Sequence, residues 1–381
     1  MLMQVRTLSA TSVETLEAQI NHHLAEGFRP TLGIVFSSVQ LDLSAICDLF
    51  DQKNIDLFGC STAGEILNDQ SFESSAVGLL FDLNPEHYRI QFVDGKDLDN
   101  PFEVGKSAGL LAKNIFEHPA LIVGSGGVTI DAEQIVFGLK DGIGREVPMF
   151  GGLAGDDLTV EGTYAFSRNG RTDNGLVLLV LDTKKVSVKG MATSGWEAVG
   201  VVNTITKARG NVVYSINNEP ALDVFIRYFG YFDDIQVRGR EINTMSAQYP
   251  LQILREDGTS VLRSPLVGSE EERTLVLAGG VREGDKFRFS ISPGFEVIDK
   301  TIEDFGHLNK EAAAADALIL FSCKGRHAAL GPLIEDEIQG IYNYWKVPMA
   351  GFFTYGEIGP TKNGACDFHN ETCSLVVLKE K

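Results

Sequence analysis

Two stretches of the chain open alike, VPMFGGLAGDD at Val147–Asp157 and VPMAGFFTYGEIGP at Val347–Pro360. Each begins Val-Pro-Met, runs through an apolar segment broken by glycine and reaches a carboxylate. An internal repeat constrains a fold strongly, because every copy must satisfy the same strand and turn geometry. The echo extends outward. A strand-like ALILFSCKGR and a helical LGPLIEDEIQGIYNYW precede the second copy, and CSLVVLKE follows it. The same order holds in the middle of the chain, with ALIVGSGG, DAEQIVFGLKDGIG and NGLVLLVLD. It holds again near the start, with LGIVFSS, LDLSAICDLFDQKN, IDLFGCSTAGEI and SAVGLLFDL.

Each unit therefore reads strand, helix, strand, Gly-rich loop carrying an acid, then a further strand. Short aliphatic runs flanked by glycine suit buried strands. Adjacent strand–helix–strand runs predict parallel pairs with right-handed crossovers. The pairing of the last strand is open at this level. Residues 184–305 differ, with many strand-like runs and one helix over Glu219–Gly230, for which Asn217 or Asn218 is the N-cap and Pro220 lies in the first turn. REDGTSVLR, with Asp-Gly between apolar runs, reads as a hairpin. The fold class is α/β: repeated strand–helix–strand units forming mixed sheets, with a more β-rich middle region. A domain boundary is placed near residues 205–220, giving domains 1–210 and 211–381.

Composition narrows the functional classes. The formal charge of −19 disfavours nucleic acid and anionic membranes as partners. Five cysteines at irregular spacing are no disulfide framework and fit a reducing compartment. The N-terminus lacks the apolar core of a signal peptide, and LVLLVL is far too short to span a bilayer. The expectation is a soluble cytoplasmic protein.

Ligands of parallel α/β sheets sit at the carboxyl ends of strands. The candidate loops are GCSTAGE, GSGGVT, GGLAGDD, SCKGRH and FTYGEIG. Within them Arg326 is a candidate to hold a carboxylate, and Glu357 or Asp156 to pair an amine, which together suit an amino acid. Cys323, Thr354, Tyr355 and Gly356 complete the candidate ligand-binding set. Such loops are equally ordinary αβ turns, and Arg326 with Glu357 can instead form a salt bridge that locks two loops. GSGG lacks the spacing of a phosphate loop. Cys366, His369 and Cys373 are too few for a zinc site, so no metal is assigned. Cys323 with His327 four residues on is no evidence of a nucleophile–base pair, so no enzyme is expected.

Taken in order, GCSTAGEI, GGLAGDD and NGLVLLVL, then PALDVF, YPLQI, AGGVREGD, SCKGR and GFFTYGEIGP resemble the FIST sensory domain, in both its N-terminal and C-terminal parts, over roughly residues 25–378. The resemblance implies an intracellular signal-input module that binds a small ligand, amino acids among them. It also implies a separately encoded partner: a histidine kinase, as in a two-component system, a chemotaxis protein or a cyclic-dinucleotide enzyme. No cofactor is expected. Some stand-alone members look like haem-binding nitric-oxide sensors, and on that alternative His327 is the first axial-ligand candidate, with His118, His307 and Tyr355 as others.

Overall fold

The computed structural model describes residues 3–98, 100–127, 130–159, 161–229, 249–256, 258–292, 294–361 and 366–381. Val128 and Thr129 of the GSGGVT loop, Asp257 of the Asp-Gly turn and the helix stop at Gly230 lie outside these residues.

The first unit contains β1 (Val5–Ala10), α1 (Val13–Ala25), β2 (Leu32–Ser37), α2 (Leu43–Gln52), β3 (Asp56–Ser61), β4 (Glu65–Leu67), β5 (Gln70–Phe72) and β6 (Ala76–Phe81). The second repeats this order with β7 (Tyr88–Asp94), α3 (Pro101–Ala112), β8 (Pro119–Gly126), α4 (Ala132–Ile143), β9 (Met149–Leu153), β10 (Ala165–Ser167), β11 (Gly170–Thr172) and β12 (Gly175–Asp182). The third begins with β13 (Val186–Thr193). An inserted region follows: β14 (Glu197–Arg209), β15 (Val212–Ile216), β16 (Glu219–Pro220), α5 (Ala221–Phe229), β17 (Leu251–Leu254), β18 (Ser260–Arg263), β19 (Pro265–Ser269), β20 (Thr274–Leu277) and β21 (Lys286–Ile291). The unit then resumes with α6 (Glu296–Glu311), β22 (Ala317–Cys323), α7 (Lys324–Leu330), α8 (Ile334–Trp345), β23 (Met349–Thr354), β24 (Glu357–Pro360), β25 (Cys366–His369) and β26 (Cys373–Glu380).

In every unit the two main strands pair parallel, as the crossover pattern requires: β2 with β3, β8 with β9, and β22 with β23. The last strand returns antiparallel beside the first of the pair, giving mixed sheets of an α/β fold. The short hairpin in between leaves its own sheet. β4–β5 joins β23 in the third sheet, β10–β11 joins β3 in the first, and β24–β25 joins β9 in the second. The three sheets thus exchange hairpins in a closed ring.

Alternation along each strand puts one face of all three sheets into a common core. Phe36, Phe321 and Phe352 meet there, with ring centroids 4.7–6.1 Å apart. Helices cover the outer faces: α1 and α2 on the first sheet, α3 and α4 on the second, α6 and α8 on the third. Their ends follow the local sequence, with Ser12, Asp42, Asn100 and Asp131 as side-chain N-caps and Gly144 left-handed after α4. The inserted region forms a fourth, antiparallel sheet with its own core around Ile205, Phe225 and Phe289.

Two local expectations change. Asn217 and Asn218 do not cap α5. They carry φ of 52° and 67° in the turn from β15 to β16, a conformation asparagine tolerates, and Pro220 ends β16 before the helix starts. SCKGR is no loop past Cys323, because α7 begins at Lys324. Among the described residues no helix is long and apolar enough to cross a membrane.

Candidate functional site

The candidate loops GCSTAGE, GGLAGDD and FTYGEIG meet at the strand ends. The Gly155 amide donates to Ser61 O at 2.8 Å and that of Asp157 to Thr62 O at 3.0 Å. Ala63 donates to Phe353 O, and Phe353 donates to Gly64 O. Gly155 is required here, since a Cβ would stand 2.5 Å from the Ala63 nitrogen.

Tyr355 and Asp156 are brought together. The Tyr355 hydroxyl donates to Asp156 Oδ1 and accepts from the Leu158 amide at 3.0 Å, while Asp156 Oδ2 takes the amides of Glu161 and Gly162. Burial and the neighbouring carboxylate push the Tyr355 phenol well above its ordinary range. Asp157 reaches a third loop, accepting from the Ser38 hydroxyl at 2.6 Å.

Glu357 is fully buried and held by its own unit. Thr354 Oγ1 donates to one carboxylate oxygen, and Thr372 donates its hydroxyl at 2.8 Å and its amide at 3.3 Å to the other. Glu65 is held the same way by Thr62 and Ser75. The residue opposite Glu65 is Phe352, and Gly152 is opposite Glu357; in the second unit Ala165 occupies this place, opposite Cys60. Ala154 stands there for the threonine and Gly175 for Ser75 or Thr372, so the second unit lacks the acid and its partners together. The acid at the place equivalent to Glu357 is therefore absent from that unit. Asp156 and Asp157 belong to the longer stretch of chain that separates β9 from β10. Burial raises Glu357 to about 8 and Glu65 to about 7, against the lowering effect of the hydroxyl donors.

Arg326 does not meet Glu357. It is fully buried and its Nε donates to Glu337 Oε1 at 2.9 Å, while Nη2 bonds Glu337 Oε2 and Thr301 Oγ1. Nη1 donates to the carbonyls of Ser194 and Glu371. All five N–H donors are thereby used. Cys323 ends β22 opposite Thr354, buried, with burial and the charges of Glu357 and Glu371 pushing its thiol upward. Gly356 lies against the Phe368 ring, 2.4 Å from where a Cβ would be. His327 stacks on Phe353 with centroids 4.2 Å apart, and its Nδ1 lies 3.2 Å from Lys324 Nζ. That charged neighbour, with Glu73 and Glu335 nearby, does not fit the apolar surroundings of an axial haem ligand.

A cavity of about 300 Å³ opens elsewhere, between the β17–β18 hairpin of the insert and the wall made by α4 and β25. Lys140, Arg255, Asp367 and His369 line it, with Glu256 at its edge and the hydroxyl residues Thr259, Ser260 and Thr361. Arg255 and the fully buried Arg263 both bond Glu133 Oε1, at 2.7 and 2.8 Å, which clasps the insert to α4. Arg263 also donates to Phe368 O at 3.0 Å. Arg255 lies 3.5 Å from Asp367. Lys140 forms no ion pair among the described residues, its Nζ donating to Cys366 O at 2.6 Å. His369 Nε2 bonds Gly359 O at 2.9 Å, and burial lowers its pKa, so Nδ1 keeps a lone pair. Cys366 also lines the cavity, its thiol raised to about 12 by burial, whereas Cys373 packs in a different core. Sequence reasoning reached Cys366 and His369 as a metal question and Arg255 as hairpin sequence. Nothing local in the sequence joins them to Lys140.

The strand-end loops and this cleft touch across one strand pair, since Glu357 pairs with His369. The FIST N domain model matches residues 31–219 and the FIST C domain model residues 221–360. An uncharacterized protein of Methanocaldococcus jannaschii is 23% identical over 389 residues, covering 91% of this chain and 73% of its own length. The insert falls across the meeting point of the two matches, and together they span most of the chain. The chain belongs to the FIST family, whose domains are sensory and bind small ligands.

Proposed function

We propose that this protein senses a small polar metabolite bound in the cleft between the insert and the α4–β25 wall, without turning it over. The cavity carries the reading. Ligand sites favour clefts between structural regions, and about 300 Å³ lies at the small end of their range. Lys140 and Arg255 offer donors for a carboxylate, while Asp367 and Glu256 offer acceptors for an amine. This pattern suits a zwitterion such as an amino acid. Of the strand-end residues, Glu357, held by Thr354 and Thr372, backs this wall through its pairing with His369. Closing the insert on a ligand would present a changed surface to a separately encoded histidine kinase, chemotaxis protein or cyclic-dinucleotide enzyme.

A thermal-shift screen of amino acids and related metabolites tests this. Ligand at 100-fold its dissociation constant stabilises the fold by about 2.7 kcal/mol. Lys140→Ala and Arg255→Ala should abolish the shift while leaving the circular-dichroism spectrum intact. A shift that survives both substitutions sinks the placement. A Soret band after growth with haem would replace this reading with gas sensing.

A further inference from the structure

The strand-end junction contains a reactive amine that is paired with an imidazole rather than with a carboxylate. Lys324 is half-buried at the start of α7 and forms no ion pair among the described residues. Its Nζ lies 3.2 Å from His327 Nδ1 and 5.4 Å from the centroid of Phe353, the ring on which His327 also stacks. Phe353 in turn is laced to the Ala63–Gly64 turn of the first unit, and Asp157 comes from the long loop of the second. Three units therefore contribute to the surroundings of one amine, over an apolar floor.

We propose that Lys324 is a nucleophilic amine that holds small aldehydes or ketones reversibly as an imine, with His327 as its proton partner. The nitrogen lone pair attacks the carbonyl carbon, and the carbonyl oxygen takes a proton to give a carbinolamine. Loss of that hydroxyl as water, with departure of the remaining N–H proton, leaves C=N. Hydrolysis reverses every step, so no oxidant or reductant is needed. His327 is placed to accept the N–H proton at Nδ1 and return it to the leaving hydroxyl.

The charges around the pair are consistent with this. Burial lowers Lys324 below the ordinary lysine range, outweighing Glu73, Asp157 and Glu65, which favour the ammonium form. Burial and the Lys324 charge lower His327 to about 4, against Glu73 and Glu335, so at neutral pH the imidazole is a proton acceptor. Lys324 is the only described lysine with a resolved downward shift.

The test is reductive trapping on the full chain. Protein is incubated with butyraldehyde or pyruvate and sodium cyanoborohydride between pH 6 and 9, and the adducts are mapped by peptide mass spectrometry. Lys324 should be modified ahead of exposed lysines such as Lys96 and Lys184, by about tenfold at neutral pH for each unit its pKa is lowered. Its rate should level off at lower pH than theirs. Lys324→Arg should remove the adduct, and His327→Gln should slow trapping at Lys324 without changing the other lysines. Lys140→Ala should leave it unaffected, which separates this inference from the cleft reading. Modification of Lys324 no faster than the exposed lysines at every pH, in the wild-type chain alone, overturns the proposal. The Lys324–His327–Phe353 contact would then be only packing.

Discussion

Breaking the Arg326–Glu337 pair would leave a charge enclosed by protein with no water to replace its partner. Removing one member of a buried pair costs about 3–5 kcal/mol, whereas replacing both by apolar groups is often near neutral. Arg326→Met should therefore lower the urea midpoint severely, and Arg326→Met with Glu337→Leu should recover much of the loss. The buried carboxylates give a second expectation. Glu357 at about 8, with Glu65 and Glu371 at about 7, bind protons in the folded chain that the unfolded chain has released. Their contribution is complete below about 4.3 and is lost as pH rises through 7 to 8. His327, lowered to about 4, acts oppositely but only below about 6.5, its unfolded value. Between pH 6.5 and 8 the urea midpoint should fall, and Glu357→Gln should flatten the fall. At this scale the sequence was partly legible. The loop acids were visible because glycine and strand ends mark them. Glu337 was not singled out in the sequence, although it lies three residues from Ile334 and four from Ile341, on the buried stripe.

Helices α3 and α4 touch through glycine. A Cβ on Gly105 would stand 2.2 Å from Ile135 O, and one on Gly138 would stand 2.1 Å from Phe102 O. Gly109 and Gly142 extend the contact by one turn on each helix. Alanine normally favours a helix interior by about 1 kcal/mol over glycine. Here the obstacle is backbone, which cannot swing aside, so Gly138→Ala should lower the melting temperature, with overpacking costing about 1–3 kcal/mol. A rise in melting temperature would show that the helices can separate freely. Strand–helix–strand order was readable from periodicity and glycine alone, because those signals are local. The exchanged hairpins were not, since β4 is three residues long and its partner β23 lies far along the chain. The Val-Pro-Met echo also misled at one point, because the counterpart of Glu357 lies past a loop lengthened only in the second unit.

Across the whole molecule, the Glu133–Arg263–Arg255 clasp is the described charged link between insert and α4. Arg263→Met should raise hydrogen exchange in β17, β18 and the first turn of α4 while the central core stays protected. Equal loss of protection everywhere would mean that insert and core unfold as one. The ring of exchanged hairpins bears on synthesis as well as stability. A first unit emerging from the ribosome carries β4–β5 before the sheet that receives it exists, and its own β3 edge waits for β10. That hairpin must remain unpaired until residues 349–354 are made, over a sequence separation that makes closure slow. The nascent chain therefore passes through a long interval with open strand edges, in which holding factors and neighbouring chains compete for the same backbone groups.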